Sequence, residues 1–196
     1  MLDTEKFYNE DYCKKIDAKQ WRHEQTPANM KVLFDHFQPS SVIDVGCANG
    51  LHLKAFKDLG IKRLFGIEGT SSWAPYIEKY FSDQYIITDL RQPLPYIGKF
   101  DLVLSLEVLE HLEKESAKQA VENLIGLGDV LCISANPSKG GFYHINPMPK
   151  EYWLDIFNTF NMRYCPDEVD KLQSTYQKMS CSQWFKTDLM VFRKDD

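Results

Sequence analysis

Short runs of apolar, β-branched residues alternate along most of the chain with segments whose apolar residues recur at helical spacing. Glycine, proline or acidic residues bound each run, which is typical of buried strands that end in turns. The predicted strands are, in chain order, Ser41 to Val45, Arg63 to Ile67, Tyr85 to Thr88, Phe100 to Leu106, Val130 to Ser134 and Trp184 to Phe192. The segments between and after them predict helices at Leu51 to Leu59, Trp73 to Phe81, Lys114 to Leu127, Lys150 to Phe160 and Asp167 to Met179.

This alternation of strands and helices determines the expected architecture. A βαβα order indicates an α/β fold with a parallel sheet, helices on both faces and right-handed crossovers. The first forty residues predict one helix from Phe7 to Gln20 and a second that runs to about Phe37. Thr26 is the expected N-cap of that second helix, because Pro27 suits the first helical position. We expect a single domain over residues 1–196, with residues 1–40 as a helical cover and residues 41–196 as the α/β core.

Composition narrows the class of protein. The chain has 196 residues, 43% of them hydrophobic, and its 23 basic and 28 acidic residues give a formal net charge of −5. Such a chain is long enough for a substantial core, and its mild acidity speaks against an extended basic groove for nucleic acid. No apolar stretch approaches the roughly 18 residues of a membrane span, and the N-terminus lacks a secretory signal, so the predicted compartment is the cytoplasm.

The cysteines indicate reduced thiols. The chain contains five of them, Cys13, Cys47, Cys132, Cys165 and Cys181. An odd set without a C-x-x-C pair fits neither a disulfide framework nor a thiolate zinc site.

Polar residues follow the first two predicted strands directly. Ligands of open parallel sheets bind beyond the carboxyl ends of the strands, so these residues are binding candidates. The first strand leads through Asp44 into Gly46, Cys47 and Gly50, where glycine permits positive φ and close approach of a ligand. Glu68 ends the second strand, twenty-two residues beyond Gly46, and this spacing puts a carboxylate beside the ribose in nucleoside-binding sheets. Small residues suit the loop for backbone reasons, so a nucleophilic Cys47 is disfavoured.

Four segments together resemble the class I S-adenosylmethionine-dependent methyltransferases. Residues 42–50, which read VIDVGCANG, resemble motif I of that family. Glu68 falls where the family keeps its ribose-binding acid, and Asp89 falls where an acid faces the adenine amino group. The segment Phe100 to Leu112 resembles the fourth-strand signature, and the last predicted strand resembles the antiparallel seventh strand.

The resemblance implies a fold, an activity and a cofactor. The fold is a Rossmann-like seven-stranded, mostly parallel sheet with an antiparallel last strand and helices on both faces. The cofactor is S-adenosyl-L-methionine, and the residues expected to hold it are Asp44, Gly46, Cys47, Gly50, Glu68, Gly69, Asp89, Leu90 and Glu107. Two alternatives stay open, a non-catalytic S-adenosylmethionine-binding module and a nicotinamide-dependent oxidoreductase. The second would favour G-x-G-x-x-G, whereas this loop lacks the middle glycine.

A further motif points to a metal ion. Glu107, Glu110 and His111 stand at i, i+3 and i+4, so they would share one face if the chain were helical after Ser105. Two carboxylates and an imidazole suit a divalent metal such as Mg²⁺, which would ease loss of the proton from a hydroxyl acceptor.

The same E-x-x-E-H pattern resembles the metal-binding motif of small-RNA 2′-O-methyltransferases and of ubiquinone-pathway O-methyltransferases. The small-RNA enzymes supply a further histidine after the fifth strand, where this chain has His144. In other members of the superfamily, which have no known metal, the first glutamate lines the cofactor pocket and the histidine is a general base or packs. His111 and His144 are therefore candidate catalytic residues as well as candidate ligands.

The segment from Asn136 to Trp153, after the fifth predicted strand, is the expected site of acceptor recognition. Tyr143, His144 and Asn146 present hydrogen-bonding groups, and Gly140 next to Gly141 favours a mobile lid. We expect a small acceptor such as a sugar or nucleoside, or the terminal hydroxyl of a larger molecule. The sequence leaves the acceptor's identity and the oligomeric state open.

Overall fold

The computed structural model describes residues 4–82 and 84–195 of the chain. Its strands are β1 (Ser41–Val45), β2 (Arg63–Glu68), β3 (Tyr85–Ile87), β4 (Leu102–Leu106), β5 (Val130–Ser134), β6 (Met162–Tyr164) and β7 (Leu189–Lys194). Its α-helices are α1 (Thr4–Phe7), α2 (Glu10–Asp17), α3 (Gln20–Phe37), α4 (Leu51–Asp58), α5 (Ala74–Tyr80), α6 (Ala117–Leu127), α7 (Lys150–Asn158), α8 (Pro166–Tyr176) and α9 (Gln183–Thr187). Short 3₁₀ turns lie at Ser71–Trp73, Leu109–His111 and Lys114–Ser116.

The described strands form one seven-stranded sheet in the order β3-β2-β1-β4-β5-β7-β6. β1 pairs with β2, β2 with β3 and β4 with β5 in parallel, whereas β7 is antiparallel to both β5 and β6. The predicted fold, a mostly parallel sheet with an antiparallel last strand, is confirmed. The chain forms two compact units, residues 1–89 and residues 90–196.

The first unit contains β1 to β3 and the N-terminal helices. Every residue of β1 is buried, as expected for a central strand that is covered on both faces. α4 follows β1 and buries Leu53 and Phe56 completely, and α3 packs against it. The carboxylate of Glu5 in α1 accepts a hydrogen bond from the backbone amide of Ser71 (2.8 Å), which attaches α1 to the turn after β2.

The second unit is built around β5. Leu131, Cys132 and Ile133 of this strand are fully buried between β4 on one side and β7 on the other. α7 contributes Phe157, which stacks on Phe192 of β7 with ring centroids 4.1 Å apart. This packing fixes β7 beside β5, and the candidate residues of this unit follow the carboxyl ends of β4 and β5.

The second N-terminal helix differs from its prediction. α3 begins well before Pro27, so the proline lies inside the helix and Thr26 is not its N-cap. The Thr26 hydroxyl donates instead to the Arg22 carbonyl, 2.6 Å away. An interior proline costs roughly 3 kcal/mol, but Met30 and Leu33 continue the buried face of the same helix. Burial of this face against α4 outweighs the local signal for a helix start.

The predicted helix from Phe7 to Gln20 is also divided. Only α2 lies wholly within this range: α1 ends at Phe7, Tyr8 and Asn9 separate the two helices, and α3 begins at Gln20. The Asn9 side chain accepts a hydrogen bond from the Tyr12 amide (3.0 Å) and so caps α2. Asparagine is among the preferred N-cap residues, and this one starts a new helix.

The C-terminal segment differs in a similar way. The residues at the start of the predicted strand Trp184 to Phe192 form α9, and β7 begins only at Leu189. Phe185 is buried and stacks on Tyr176 of α8 with centroids 4.6 Å apart, so tertiary packing favours the helix. The edge strand β6 is not predicted, because Met162, Arg163 and Tyr164 form no apolar run of the kind that marks β3.

No helix within residues 4–82 or 84–195 is both long enough and apolar enough to cross a membrane.

We predict that Gly128→Ala destabilises the protein by about 1–3 kcal/mol. A Cβ atom at Gly128 would lie 2.6 Å from the Phe100 carbonyl oxygen and 2.8 Å from the Val103 side chain, so the backbone of the bridge between Phe100 and Gly128 must shift. Urea unfolding measures the loss. The matched control is Gly126→Ala within α6, where an added Cβ meets no described heavy atom within 4 Å. That variant should be as stable as the wild type or more stable, and equal effects of the two substitutions would contradict the packing argument.

Candidate cofactor and cation sites

The loop after β1 has the strained backbone that its glycines predict. Gly46, Ala48 and Gly50 all have positive φ, at 80°, 48° and 76°. The amides of Gly46 and Cys47 both donate to the Ile67 carbonyl of β2 (2.7 and 3.0 Å), so the loop is fastened to the neighbouring strand. Gly50 lies at the N-cap of α4. The loop therefore has a defined shape at the carboxyl end of β1.

Glu68 is the centre of this arrangement. Its carboxylate is buried and accepts three backbone hydrogen bonds, from Ala48 (2.8 Å) on one oxygen and from Gly69 (2.8 Å) and Thr70 (3.2 Å) on the other. Burial raises the pKa of Glu68 to about 7, although the three amide bonds act in the opposite direction. A carboxylate oxygen can accept two hydrogen bonds, so the oxygen bonded to Ala48 can also receive a ligand hydroxyl.

The structure places Asp44 and Cys47 beside this carboxylate. Asp44 is 1% exposed, and its side chain accepts a hydrogen bond from Nδ1 of His52 in α4 (3.2 Å). Burial raises the pKa of the Cys47 thiol well above its ordinary value, with Glu68 and Asp44 adding to the shift. A thiol held protonated is a poor nucleophile, so Cys47 is a small packing residue of the loop.

Asp17 is a polar centre that the sequence did not reveal. One of its oxygens accepts a hydrogen bond from the Asn49 side chain in the loop after β1 (3.0 Å). The other accepts from the Tyr80 hydroxyl (3.1 Å) and Lys79 (3.4 Å) of α5. Asp17 thus connects the end of α2 to the glycine loop and to α5. A single aspartate near a predicted helix end carries no sequence signal, because its partners lie 32 or more residues away.

Asp89 and Leu90 follow β3. Ile87 pairs with Glu68 in register, and the Thr88 amide donates to the Glu68 carbonyl (2.8 Å), so the half-buried Asp89 lies at the same edge of the first unit. Leu90 opens the second unit, where its carbonyl accepts a hydrogen bond from the Asn123 side chain (2.9 Å). The residues expected to bind the nucleoside part of the cofactor thus follow three adjacent strand ends.

Glu107, in the second unit, does not lie on a helix. Its φ of 59° turns the chain out of β4, and only the short 3₁₀ turn Leu109–His111 follows, so the expected helical face is wrong. The Ser134 hydroxyl and the Asn136 amide donate to its two carboxylate oxygens (2.9 and 3.3 Å). Burial raises the pKa of Glu107 to about 7 against the effect of these two bonds.

Three candidate residues do converge. A ligand atom of each of Glu110, His111 and His144 lies within 4.8 Å of the other two, and Glu107 is not part of this group. Nε2 of His111 is 3.9 Å and Nε2 of His144 is 4.0 Å from the same oxygen of Glu110. Glu110 is completely buried, and neither of its carboxylate oxygens makes a hydrogen bond of acceptable geometry within the described residues.

Backbone carbonyls determine how both histidine rings are oriented. Nδ1 of His111 donates to the Tyr143 carbonyl (3.0 Å), and Nδ1 of His144 donates to the Ser138 carbonyl (2.8 Å). Because a carbonyl can only accept, a neutral imidazole at either position carries its lone pair on Nε2. The Nε2 atoms of both histidines, which carry these lone pairs, therefore face Glu110. Metal-binding histidines are commonly oriented by such bonds.

The loop after β5 brings His144 to this place. The amides of Ile145 and Asn146 both donate to the backbone carbonyl of Glu110 (3.1 and 2.9 Å). Tyr143 has a φ of 56°, which turns its carbonyl toward His111. A Cβ atom on Gly141 would lie 2.0 Å from the His144 ring, so only glycine lets the imidazole rest against the chain there.

Burial shifts the pKa values of Glu110 and His111 in opposite directions, and in both cases it favours the neutral form. Burial raises the pKa of Glu110 to about 8, and the nearby charge of Glu107 adds to the effect, although the backbone amides of Glu110 and Asn136 oppose it. Burial also lowers the pKa of His111 to about 4, with a smaller contribution from His144, although the bond to Tyr143 opposes the shift. His111 is therefore neutral at neutral pH. The group combines a buried acid with imidazole lone pairs and has no internal hydrogen bond that satisfies the acid.

Comparison with known proteins identifies the type of domain. Residues 43–126 match the family model described as "Methyltransferase domain", and the match includes the glycine loop, Glu68, Asp89 and the turn with Glu110 and His111. This part of the chain, somewhat less than half of it, resembles a methyltransferase domain. The prediction that this protein is a methyltransferase is thereby confirmed. No curated protein sequence matches the chain.

Solved structures share the fold of the whole chain. DesVI from Streptomyces venezuelae is 15% identical and covers 100% of both chains with a TM-score of 0.67. A TehB-like SAM-dependent methyltransferase from Corynebacterium glutamicum is 16% identical over 95% of this chain and 100% of its own, with a TM-score of 0.69. The plantazolicin methyltransferase BpumL, solved in complex with SAH, is 14% identical over 98% of this chain and 93% of its own, with a TM-score of 0.66. At these identities the likeness shows the fold alone.

We predict that the Glu68 carboxyl makes stability depend on pH. Its pKa is raised to about 7 in the folded protein, so its contribution to stability is complete below its ordinary value near 4.5 and is lost as the pH rises to about 7. Glu68→Gln removes this titration. The stability of that variant relative to wild type should therefore improve by up to about 3 kcal/mol between about pH 5 and about pH 7.5.

Urea unfolding at the two pH values measures this difference. The control is Glu24→Gln, an exposed position in α3 where glutamine can still accept the hydrogen bond from Gln20. Its stability relative to wild type should not change with pH. A difference between Glu68→Gln and wild type that is the same at both pH values would refute the assignment.

Proposed function

We propose that this protein is an S-adenosylmethionine-dependent methyltransferase that methylates a hydroxyl group of a small acceptor or the terminal hydroxyl of a larger molecule. The observation that carries the choice of oxygen is the group of Glu110, His111 and His144. A hydroxyl must lose a proton of high pKa during methyl transfer, whereas an amine acceptor can attack through its lone pair. A buried acid beside two oriented imidazoles is suited to that requirement.

The first unit supports the choice of cofactor. Gly46 and Gly50 keep the loop open to close approach, and Glu68 retains an acceptor position for a ribose hydroxyl. Asp89 lies at the next strand end for the adenine amino group. The other cofactor contacts that we propose are Asp44, Cys47, Gly69, Leu90 and Glu107. The domain match supports methyl transfer over the nicotinamide and non-catalytic alternatives.

The second unit supports a divalent cation. The ligand atoms of Glu110, His111 and His144 would draw together by less than about 1 Å to meet one ion at bonds near 2.0–2.2 Å. Two of the three ligands are imidazoles, which suit Mn²⁺, Co²⁺ or Zn²⁺ better than the Mg²⁺ named as an example from the sequence. Such an ion would supply Lewis acidity that lowers the pKa of an acceptor hydroxyl.

Groups of the protein itself orient the two imidazoles and supply a negative charge at this site. The Tyr143 and Ser138 carbonyls keep the two imidazoles in one tautomer, and Glu110 holds negative charge when its proton is lost. The lone pair on Nε2 of His111 is also suited to accept the acceptor's proton directly. One nitrogen cannot bind a cation and a proton at once, so cation binding and general-base catalysis by His111 exclude each other.

The loop after β5 is the proposed contact surface for the acceptor. Phe142 and Ile145 are exposed beside the histidines and offer apolar area. The Asn146 side chain and the Tyr143 hydroxyl are buried, so the polar groups that we propose for acceptor recognition are the two imidazoles. Apolar area beside imidazoles suits a sugar or a nucleoside. Two features of the sequence analysis stay predictions, the absence of an extended nucleic-acid groove and the cytoplasmic location.

We predict that S-adenosylhomocysteine at about 100 times its Kd stabilises the protein by about 2.7 kcal/mol, which raises the Tm by several degrees. Methyl release from S-adenosylmethionine onto a panel of sugars, nucleosides, catechols and RNA ends should then identify the acceptor. Stabilisation by a nicotinamide cofactor but not by S-adenosylhomocysteine would overturn the assignment of the cofactor. Binding of S-adenosylhomocysteine without transfer to any acceptor would favour the non-catalytic module.

We predict that Gly141→Ala weakens cation binding at least about tenfold, because the added Cβ displaces the His144 ring without altering any ligand. Glu110→Gln, which removes the charged ligand, should do the same. Titration calorimetry with Mn²⁺, Co²⁺ and Mg²⁺ in the presence of S-adenosylhomocysteine measures the effect.

The matched control for this experiment is Gly140→Ala. A Cβ there meets only the Ser138 hydroxyl oxygen at 3.6 Å, so this variant should bind cations as the wild type does. If the wild type binds no cation below millimolar concentration, the cation model is wrong, and His111 is left as the proton acceptor. Equal affinities of the Gly140 and Gly141 variants would contradict the role of His144.

A further inference from the structure

Asp188 is an acid at the end of α9 that neither the cofactor site nor the candidate cation site uses. It is the C-cap residue of that helix, and β7 begins at the next residue. The carboxyl end of a helix carries partial negative charge, so a carboxylate at this position does not stabilise the helix. Burial raises the pKa of Asp188, and the group that opposes this shift is the neutral Thr187 side chain rather than a lysine or arginine. The helix itself therefore gives no reason for an acid here.

Strand pairing places Asp188 at the edge of the sheet that carries Glu107. Leu189 pairs with Ser134, the last residue of β5, in the antiparallel ladder between β5 and β7. The Ser134 hydroxyl donates to the Glu107 carboxylate (2.9 Å). The negative charge of Asp188 contributes to the raised pKa of both Glu107 and Glu110, so its carboxylate lies close enough to interact with both acids.

These three acids are not balanced by basic side chains of the described protein. Within residues 4–82 and 84–195, no lysine or arginine forms an ion pair with Glu107, Glu110 or Asp188. Glu110 is completely buried, and neither of its carboxylate oxygens has a hydrogen-bond partner among the described residues. An ion held by Glu110 and the two histidines would still leave Glu107 and Asp188 without a cation, because neither belongs to that group. A site lined by charges of one sign attracts a ligand of the opposite sign.

We propose that the acceptor carries a protonated amino group near its reacting hydroxyl, and that Asp188 binds this ammonium group while Glu107 adds to the negative potential. The inference rests on the proposed function and narrows its acceptor to alcohols that bear an amine, such as amino sugars and aminonucleosides. An ammonium–carboxylate hydrogen bond is stronger than a neutral one. While the amino group holds its proton it has no lone pair to attack the methyl group, so transfer goes to the oxygen.

The test uses pairs of acceptors that differ by one amino group: glucosamine and glucose, 3′-amino-3′-deoxyadenosine and adenosine, dopamine and 4-ethylcatechol. Titration calorimetry on the full chain, in the presence of S-adenosylhomocysteine and at neutral pH, gives the Kd of each member. Methyl release from S-adenosylmethionine gives the KM of each member that is methylated. In at least one pair, the member with the amine should bind to the wild type roughly tenfold more tightly than its neutral partner.

Substitutions at Asp188 should remove or reverse this preference. Asp188→Asn keeps the size of the side chain without its charge and should bind both members of that pair within about threefold of each other. Asp188→Lys should favour the neutral member, because like charges repel. The matched control is Asp170→Asn, at an exposed position in α8, which should keep the full preference. Circular dichroism checks the fold of each variant, and the lysine variant serves should Asp188→Asn not fold.

Two outcomes overturn the inference and leave the proposed function standing. One is a wild type that binds no amine-bearing member more tightly than its neutral partner, and the other is a preference that Asp188→Asn retains.

Other outcomes separate the inference from its basis. If Asp188→Asn weakens the binding of S-adenosylhomocysteine instead of the acceptor, Asp188 serves the amino group of the cofactor and the inference is wrong. Methylation of the amine nitrogen would refute both the inference and the choice of oxygen in the proposed function. If the wild type does not bind S-adenosylhomocysteine, the proposed function fails and this inference fails with it.

Discussion

Buried carboxylates after the parallel strands are the constraint on which this structure depends. A carboxylate taken out of water needs hydrogen-bond donors, a cation or a proton to compensate it. Glu68 receives three backbone amides, and through them it joins the loop after β1 to the turn after β2. Glu110 is buried at least as deeply, but neither of its carboxylate oxygens makes a hydrogen bond of acceptable geometry within the described residues, and two imidazoles lie within 4.0 Å of one of them. Glu68 is thus held by donors of the protein itself and keeps one acceptor position open, whereas Glu110 lacks such donors.

In the second unit, backbone conformation positions the Glu107 carboxylate and the Tyr143 carbonyl. Glu107 and Tyr143 both adopt the left-handed region, which costs about 1–3 kcal/mol for such residues. The positive φ at Glu107 directs its carboxylate to Ser134 and Asn136. The positive φ at Tyr143 directs its carbonyl to His111. These strained positions persist because β4 and β5 are rigidly packed on either side. The candidate residues on these loops are therefore held in place by a rigidly packed core.

The N-terminal helices are attached differently. α1 and α2 are held to the strand-end loops in part by polar contacts, such as those of Glu5 with Ser71 and of Asp17 with Asn49. Contacts of this kind open more readily than a packed apolar core. We therefore expect this segment to exchange faster with solvent than β1 does. A cover that opens is consistent with a ligand that must enter and leave beneath it.

The sequence by itself determined the order and approximate bounds of most strands, the glycine loop and the acids after β1 to β3, because hydrophobic periodicity and turn residues are local signals. It did not determine the helical course through Pro27, the helix at Phe185 or the role of Asp17, since each depends on partners distant along the chain. It also suggested a helical face for Glu107 that the left-handed turn removes. Only the tertiary structure brought His144 to Glu110 and placed the Tyr143 carbonyl against His111, because the turn after β4 and the loop after β5 are more than twenty residues apart in the chain.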